Sequence, residues 1–184
     1  SSLHQKGRKE QLSNDRLLSL IDELNFINCK SLLFIGGGEP LVNRSTIPAI
    51  EKAAKFGMSV GLVTNGSLLN EESQNRLANR LTYIRVSLDA CSSKVHKIMH
   101  ASNDFQTIII NLEKFALIKG STTLGVSFFI SEHNFHEISE CANMVKQLGA
   151  DYIQFKTYSG ISFAAELHRK ILAELDLAIQ LSDE

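Results

Sequence analysis

Three consecutive glycines, Gly36, Gly37 and Gly38, end a short apolar run and are followed by a lone acid, Glu39, and then Pro40. Glycines leave backbone carbonyl and N–H groups open to close approach. Pro40 restrains Glu39 to an extended conformation and keeps it at the rim. Carbonyls plus a carboxylate are acceptors, and acceptors suit an ammonium group, which only donates. A phosphate cradle presents N–H groups, often with a lysine, and Glu39 would repel an anion. The same residues also serve as a plain tight exit from a strand.

Two further stretches carry polar groups at comparable places. "VTNGSLL" (63–69) ends an apolar run in Thr64 and Asn65, which also reads as an Asn-Gly turn leading into a helix. "YIRVSLDA" (83–90) alternates, with Ile84, Val86 and Leu88 on one face and Arg85, Ser87 and Asp89 on the other. Polar residues on one face of a strand covered on both sides are unusual, because buried charges need partners. Asp89 also fits an exposed strand end before the next helix.

These residues need a scaffold. Apolar runs at 31–35, 58–63, 83–88, 123–130 and 151–155 begin roughly 25–40 residues apart, room for a strand, a helix and two loops. Ser13, Asn70, Asp104 and Asn134 stand before amphipathic segments as N-caps, and residues 163–181 read as a last helix. Repeated βα units imply parallel strands, right-handed crossovers and helices covering the sheet. A closed eight-fold barrel needs roughly 250 residues. Five strands give an open sheet or a partial barrel, and ligands bind at the C-terminal strand ends. The opening helix implies a missing preceding strand.

Composition is that of one globular domain: 184 residues, 43% hydrophobic, formal charge −1. No basic excess points to nucleic acid, and no apolar run approaches a membrane span. Cys29, Cys91 and Cys141 lie far apart and form no metal motif or disulfide framework, so they read as reduced, buried thiols of a cytoplasmic protein. His96 and His100, four apart, read as a solvated helical face, as do His133 and His136 around a helix start.

Gly37-Gly38-Glu39-Pro40-Leu41, Thr64-Asn65-Gly66 and Val86-Ser87-Leu88-Asp89, in this order, resemble the radical S-adenosylmethionine (radical SAM) superfamily. The likeness is to the branch of the molybdenum-cofactor cyclase and the peptide maturases. "VHKIMHASNDFQTIIINLEKF" (95–115) and "GADYIQFKT" (149–157) resemble later segments of that branch. The resemblance implies an α/β fold, a partial (β/α)6 TIM-like barrel of parallel strands with the first strand missing. It makes residues 1–184 a single core domain fragment. It implies S-adenosylmethionine binding: Gly37, Gly38 and Glu39 at the methionyl ammonium, Ser87 and Asp89 at the ribose or carboxylate, Gln154 and Phe155 beside the adenine, and Thr64 and Asn65 at the adjoining strand end.

The resemblance also implies a [4Fe-4S] cluster, an electron donor, and a 5'-deoxyadenosyl radical that modifies a peptide or small-molecule substrate. The family's cysteines, spaced Cys-x3-Cys-x2-Cys, are absent. The implication is that the cluster loop belongs to an upstream segment, so the isolated chain is inactive. Two other readings stand beside it. Lys156 in "GADYIQFKTYSG" faintly resembles a Schiff-base aldolase lysine, though the spacing from Asp151 differs and no cation to depress its pKa is evident. A cluster-free, non-catalytic binding domain is the other.

Overall fold

The computed structural model describes residues 12–157 and 163–181. Five strands, β1 (Ser31–Phe34), β2 (Ser59–Thr64), β3 (Tyr83–Ser87), β4 (Thr123–Phe129) and β5 (Tyr152–Lys156), form one sheet in chain order. All four pairings are parallel, and β1 is an edge strand. This is the partial-barrel arrangement expected from the spacing of the apolar runs.

The helices are α1 (Asn14–Phe26), α2 (Thr46–Lys55), α3 (Glu71–Leu77), α4 (Ser93–His100), α5 (Phe105–Ile118), α6 (Ile138–Gln147) and α7 (Ala165–Gln180). Caps set several starts. Ser13 accepts from the Arg16 N–H, Asn70 from the Ser73 N–H and Ser92 from the Val95 N–H. Asp104 precedes α5 without capping it, because its carboxylate is turned to His96 instead. Asn134 leads first into a 3-10 turn, Phe135–Glu137, and only then into α6.

The core lies on one face of the sheet. Val60 and Leu62, Ile84 and Val86, and Leu124, Val126 and Phe128 alternate along their strands and are fully buried. They meet helix stripes such as Phe105, Ile108, Leu112 and Phe115 of α5. Among the described residues, the others of each strand form a more open face carrying Val63, Arg85, Ser87, Gln154 and Lys156, none of them fully buried, with Ser127 buried between Ser87 and Gln154. The expectation of cover on both faces is therefore corrected. Arg85 and Ser87 are tolerated because their face is open, not because they are buried in pairs.

Two cross-strand pairs close the lower part of that face. Gly61 is paired with Tyr83, and Gly125 with Tyr152. A Cβ on Gly61 would come within 2.6 Å of the Tyr83 ring, and one on Gly125 within 2.1 Å of the Tyr152 ring. The rings lie directly on the glycine backbone, which no larger residue allows.

Candidate functional site

The glycine loop leaves the C-terminal end of β1. Glu39 is extended, as a residue before proline must be, and Pro40 opens a short 3-10 turn, Pro40–Val42. The Glu39 carboxylate caps that turn by accepting the Leu41 N–H at 2.9 Å. It also crosses to the end of β2. Thr64 Oγ1 donates to Glu39 Oε1 at 2.8 Å, and the Asn65 N–H donates to Oε2 at 2.7 Å. Glu39 is thus not a free acid at the rim. Three donors hold it, and of the roughly four acceptor positions of a carboxylate one is left.

The β2 exit is built as carefully. Buried Thr64 accepts the Gly66 N–H at 3.0 Å, and Asn65 Oδ1 accepts the Ser67 N–H at 2.9 Å in an Asx turn. Gly66 has φ +79°, and a Cβ there would stand 2.9 Å from Val86 Cγ1. Asn111 of α5 donates to the Gly66 carbonyl at 2.9 Å, and Gln74 of α3 donates to the Asn111 carbonyl at 3.1 Å. The turn is therefore anchored to two helices.

Apart from the adjoining residues, no described atom lies within 4 Å of the place a Cβ would take on Gly37 or Gly38. The loop borders a cleft of about 850 Å³ that runs between the β1 edge and Leu17, Ile21 and Leu24 of α1. Open backbone at this strand end fits a ligand that needs carbonyl acceptors. The Glu39–Thr64–Asn65 bonds tie the end of this loop to the β2 exit.

Ser87 and Gln154 share a row of the sheet with Ser127 between them. Ser87 and Ser127 are register partners with their hydroxyl oxygens 3.4 Å apart, and Ser127 is in turn the register partner of Gln154. Gln154 Oε1 accepts from Arg85 Nη1 at 3.3 Å. Phe155 is not with them. Alternation turns it to the helix face, where its ring lies 5.5 Å from that of Phe128. Asp89 is not with Ser87 either. Its φ of +55° breaks the strand alternation. Its Oδ1 accepts the Phe129 N–H at 2.6 Å, and Oδ2 stands 3.3 Å from His100 Nε2.

His96 is not on a solvated face as expected, whereas His100 is exposed at the end of α4. His96 is 2% exposed, with its Nε2 2.9 Å from Asp104 Oδ1. The two histidine rings stack at 4.7 Å. The Asp89 carboxylate, against the opposing effect of burial, holds the His100 pKa above its ordinary value, with help from the Leu88 carbonyl and Asp104. Lys156 is not a loop lysine but the last residue of β5, with its Nζ 5.8 Å from the centre of the Phe129 ring. Burial and then the Arg85 charge lower its pKa, so the neighbouring cation that the sequence did not reveal is Arg85. Tyr158 to Gly160 of the aldolase-like phrase lie outside the described residues.

The cysteines do not suit a cluster. Cys29 and Cys91 are partly covered and Cys141 is buried. Burial pushes the Cys91 thiol up to about 12 and the Cys141 thiol well above its usual value. Among the described residues no group of three or more His, Cys, Asp or Glu could hold a metal. No helix among them is long and apolar enough to cross a membrane.

The sequence profile of the Radical SAM superfamily matches residues 2–145. The chain belongs to the radical SAM superfamily. A probable GTP 3',8-cyclase of Methanococcus vannielii is 33% identical over 155 residues, 80% of this chain and 50% of that protein. The mycofactocin maturase MftC of Mycobacterium ulcerans is 26% identical over 151 residues, 80% of this chain and 40% of that one. The chain thus spans about half the length, or less, of these radical SAM relatives. Among solved structures, Streptococcus suis SuiB bound to S-adenosylmethionine matches with TM-score 0.75 at 14% identity, over 96% of this chain and 43% of that one. SuiB bound to its precursor peptide SuiA matches with TM-score 0.73 at 15% identity, over 98% and 42%. These likenesses show the radical SAM barrel fold.

Arg85 and Ser127 are not singled out by the sequence as site residues; strand register brings them beside Gln154 and Ser87. A signal existed in both cases. Arg85 is a cation inside a strand, and Ser127 interrupts the apolar run of β4.

Proposed function

We propose that this chain is the S-adenosylmethionine-binding core of a radical SAM enzyme, a single domain whose intact form modifies a peptide or small-molecule substrate. The observation that carries the reading is the open glycine loop, whose acceptors are held by the Glu39 bridge to Thr64 and Asn65. Carbonyls of Gly36, Gly37 and Gly38, with the remaining acceptor position of Glu39, would receive the methionyl ammonium. Ser87 would meet the ribose or methionyl carboxylate, and Gln154 the adenine. S-adenosylmethionine supplies the family's radical chemistry when bound; the residues described here orient it and shield one side from water.

The three cysteines of this chain do not fit the family's [4Fe-4S] cluster, so its ligands, and the electron donor that serves it, would lie elsewhere. The SuiB–SuiA complex and the maturase relative favour a peptide, and the cyclase relative favours a small molecule. The test is calorimetric binding of S-adenosylmethionine and of its analogue lacking the amino group. The analogue should bind about tenfold to a hundredfold more weakly, the worth of a charge-assisted hydrogen bond. Equal binding of the two would overturn the assignment of the glycine loop.

A further inference from the structure

The residues that follow β3 are held by α4, and the hold closes on one histidine. Asp89 is 6% exposed and keeps a left-handed φ of +55°, an uncommon and strained conformation for a residue with a side chain. Three contacts keep it there. Asn134 Nδ2 donates to its carbonyl at 2.9 Å, and the Phe129 N–H donates to its Oδ1 at 2.6 Å. His100 Nε2 stands 3.3 Å from its Oδ2 and 3.1 Å from the Leu88 carbonyl. Among the described residues, the ion pair of Asp89 is with His100.

The helix is lightly seated. Val95 and His96 are its buried residues. Glu137 ties its first turn by accepting the Cys91 N–H at 2.7 Å and the Ser92 hydroxyl. Its last turn stops at Ala101, which is left-handed with φ +53°. It returns to Leu88 and Asp89 through His100, which is exposed and so open to proton exchange with water.

We propose that α4 is a proton-operated clasp on the cofactor site: protonated His100 pins α4 to the β3 exit, and loss of that proton frees the exit and weakens cofactor binding. The inference rests on the radical SAM reading above, in which Ser87 meets the cofactor, and adds the regulation of that site. A buried carboxylate without a paired cation is costly. Neutral His100 has at most one Nε2–H to share between Leu88 and Asp89, and it brings no charge. Asp89 then gains by turning to water, which also relieves its backbone. The Leu88 N–H is bonded to the Ser127 carbonyl at 3.1 Å, and Ser127 Oγ lies 3.4 Å from Ser87 Oγ, so the movement reaches Ser87.

The groups around His100 set the direction. Asp89 most strongly, against burial, and then the Leu88 carbonyl and Asp104 of the loop before α5 favour the charged ring. His96 of α4 stacks on it at 4.7 Å and is itself bonded to Asp104. Lys156 of β5 also draws on Asp89. The clasp is therefore closed in acid and opens as pH rises through the folded His100 pKa.

The test is nuclear magnetic resonance on the isotopically labelled full chain, from about pH 5.5 to 8.5. The His100 ring and the amides of Ser87, Leu88 and Phe129 should titrate with one midpoint. S-adenosylmethionine binding, measured by calorimetry over the same range, should weaken about fivefold or more above that midpoint. His100→Arg keeps a cation at every pH. The affinity of wild type relative to His100→Arg should fall through the midpoint, a ratio that cancels any titration of the cofactor itself. His100→Gln should bind at low pH as wild type binds at high pH. Amides of the β3 exit that ignore the His100 midpoint, or a ratio that stays flat across it, overturn the proposal. Should His100→Arg not fold, the wild-type amides decide alone. If the amides follow His100 while S-adenosylmethionine binds at no pH, the cofactor reading is what fails, and the clasp stands on a site for another ligand.

Discussion

The Glu39 carboxylate and the Asn65 backbone N–H are joined at 2.7 Å across the ends of two adjacent strands. This bond fixes the separation of the glycine loop from the β2 exit. The acid that sequence alone assigns to ligand binding is in the fold first a brace.

Glu39→Gln should therefore destabilise the fold as well as weaken cofactor binding. An amide cannot accept from the Leu41 N–H, the Thr64 hydroxyl and the Asn65 N–H at once, because its nitrogen donates. The expected loss is about 1.5–3 kcal/mol, and melting should fall by roughly 3–12 °C. Thermal unfolding followed by circular dichroism measures it. A variant that melts with the wild type would remove the brace from the account.

Gly66→Ala should cost about 1–3 kcal/mol, through positive φ and overpacking together. The added methyl would stand 2.9 Å from Val86 and 3.2 Å from Ile108. Urea unfolding is the measurement, and Gly37→Ala, with open space in front of it, is the control expected to change little. Equal midpoints for the two variants would contradict the packing.

His100 makes stability depend on pH in one direction. Its folded pKa is raised by Asp89, so the folded state holds its proton more tightly than the unfolded chain. The contribution is fully present below the ordinary histidine value of about 6.5 and is lost as pH climbs through the folded pKa. The melting difference between wild type and His100→Gln should be largest in acid and shrink toward alkali. A difference that grows with pH would reverse the assignment. The His100 ring resonances should also titrate at lower pH in Asp89→Asn.

Anaerobic reconstitution of this chain with iron and sulfide should leave no stoichiometric [4Fe-4S] cluster. Its thiols sit on separate elements, and those of Cys91 and Cys141 resist ionisation. Iron counting and visible absorbance decide it. Stable uptake of four irons would show that the cysteines can converge.

Much of this fold is legible in the sequence because its signals are local. Apolar runs that end in glycine or polar turns mark all five strands to within about one residue, and Ser13 and Asn70 cap where their types demand. Chain order follows from the βα repeat. Of the candidate site, the strand-end turns continuous in sequence are legible, Gly37-Gly38-Glu39 and Thr64-Asn65, but the bonds that join the two turns are not. Asp89 was misplaced because a left-handed residue breaks strand alternation, and neither Asp nor its neighbours announce that conformation. The burial of His96 is not legible because its partner Asp104 lies in the loop after α4, and nothing in the helix itself announces that this loop folds back over it. Arg85 and Ser127 needed strand register, which no single segment encodes.

The rings of Tyr83 and Tyr152, laid on Gly61 and Gly125, give the open face a floor. From the Tyr152 row to Lys156 is four residues of strand, about 13 Å. The two phenols thus fill the end of the face away from the glycine loop with side chain, so anything laid along β5 from the Lys156 end would meet a ring after about 13 Å.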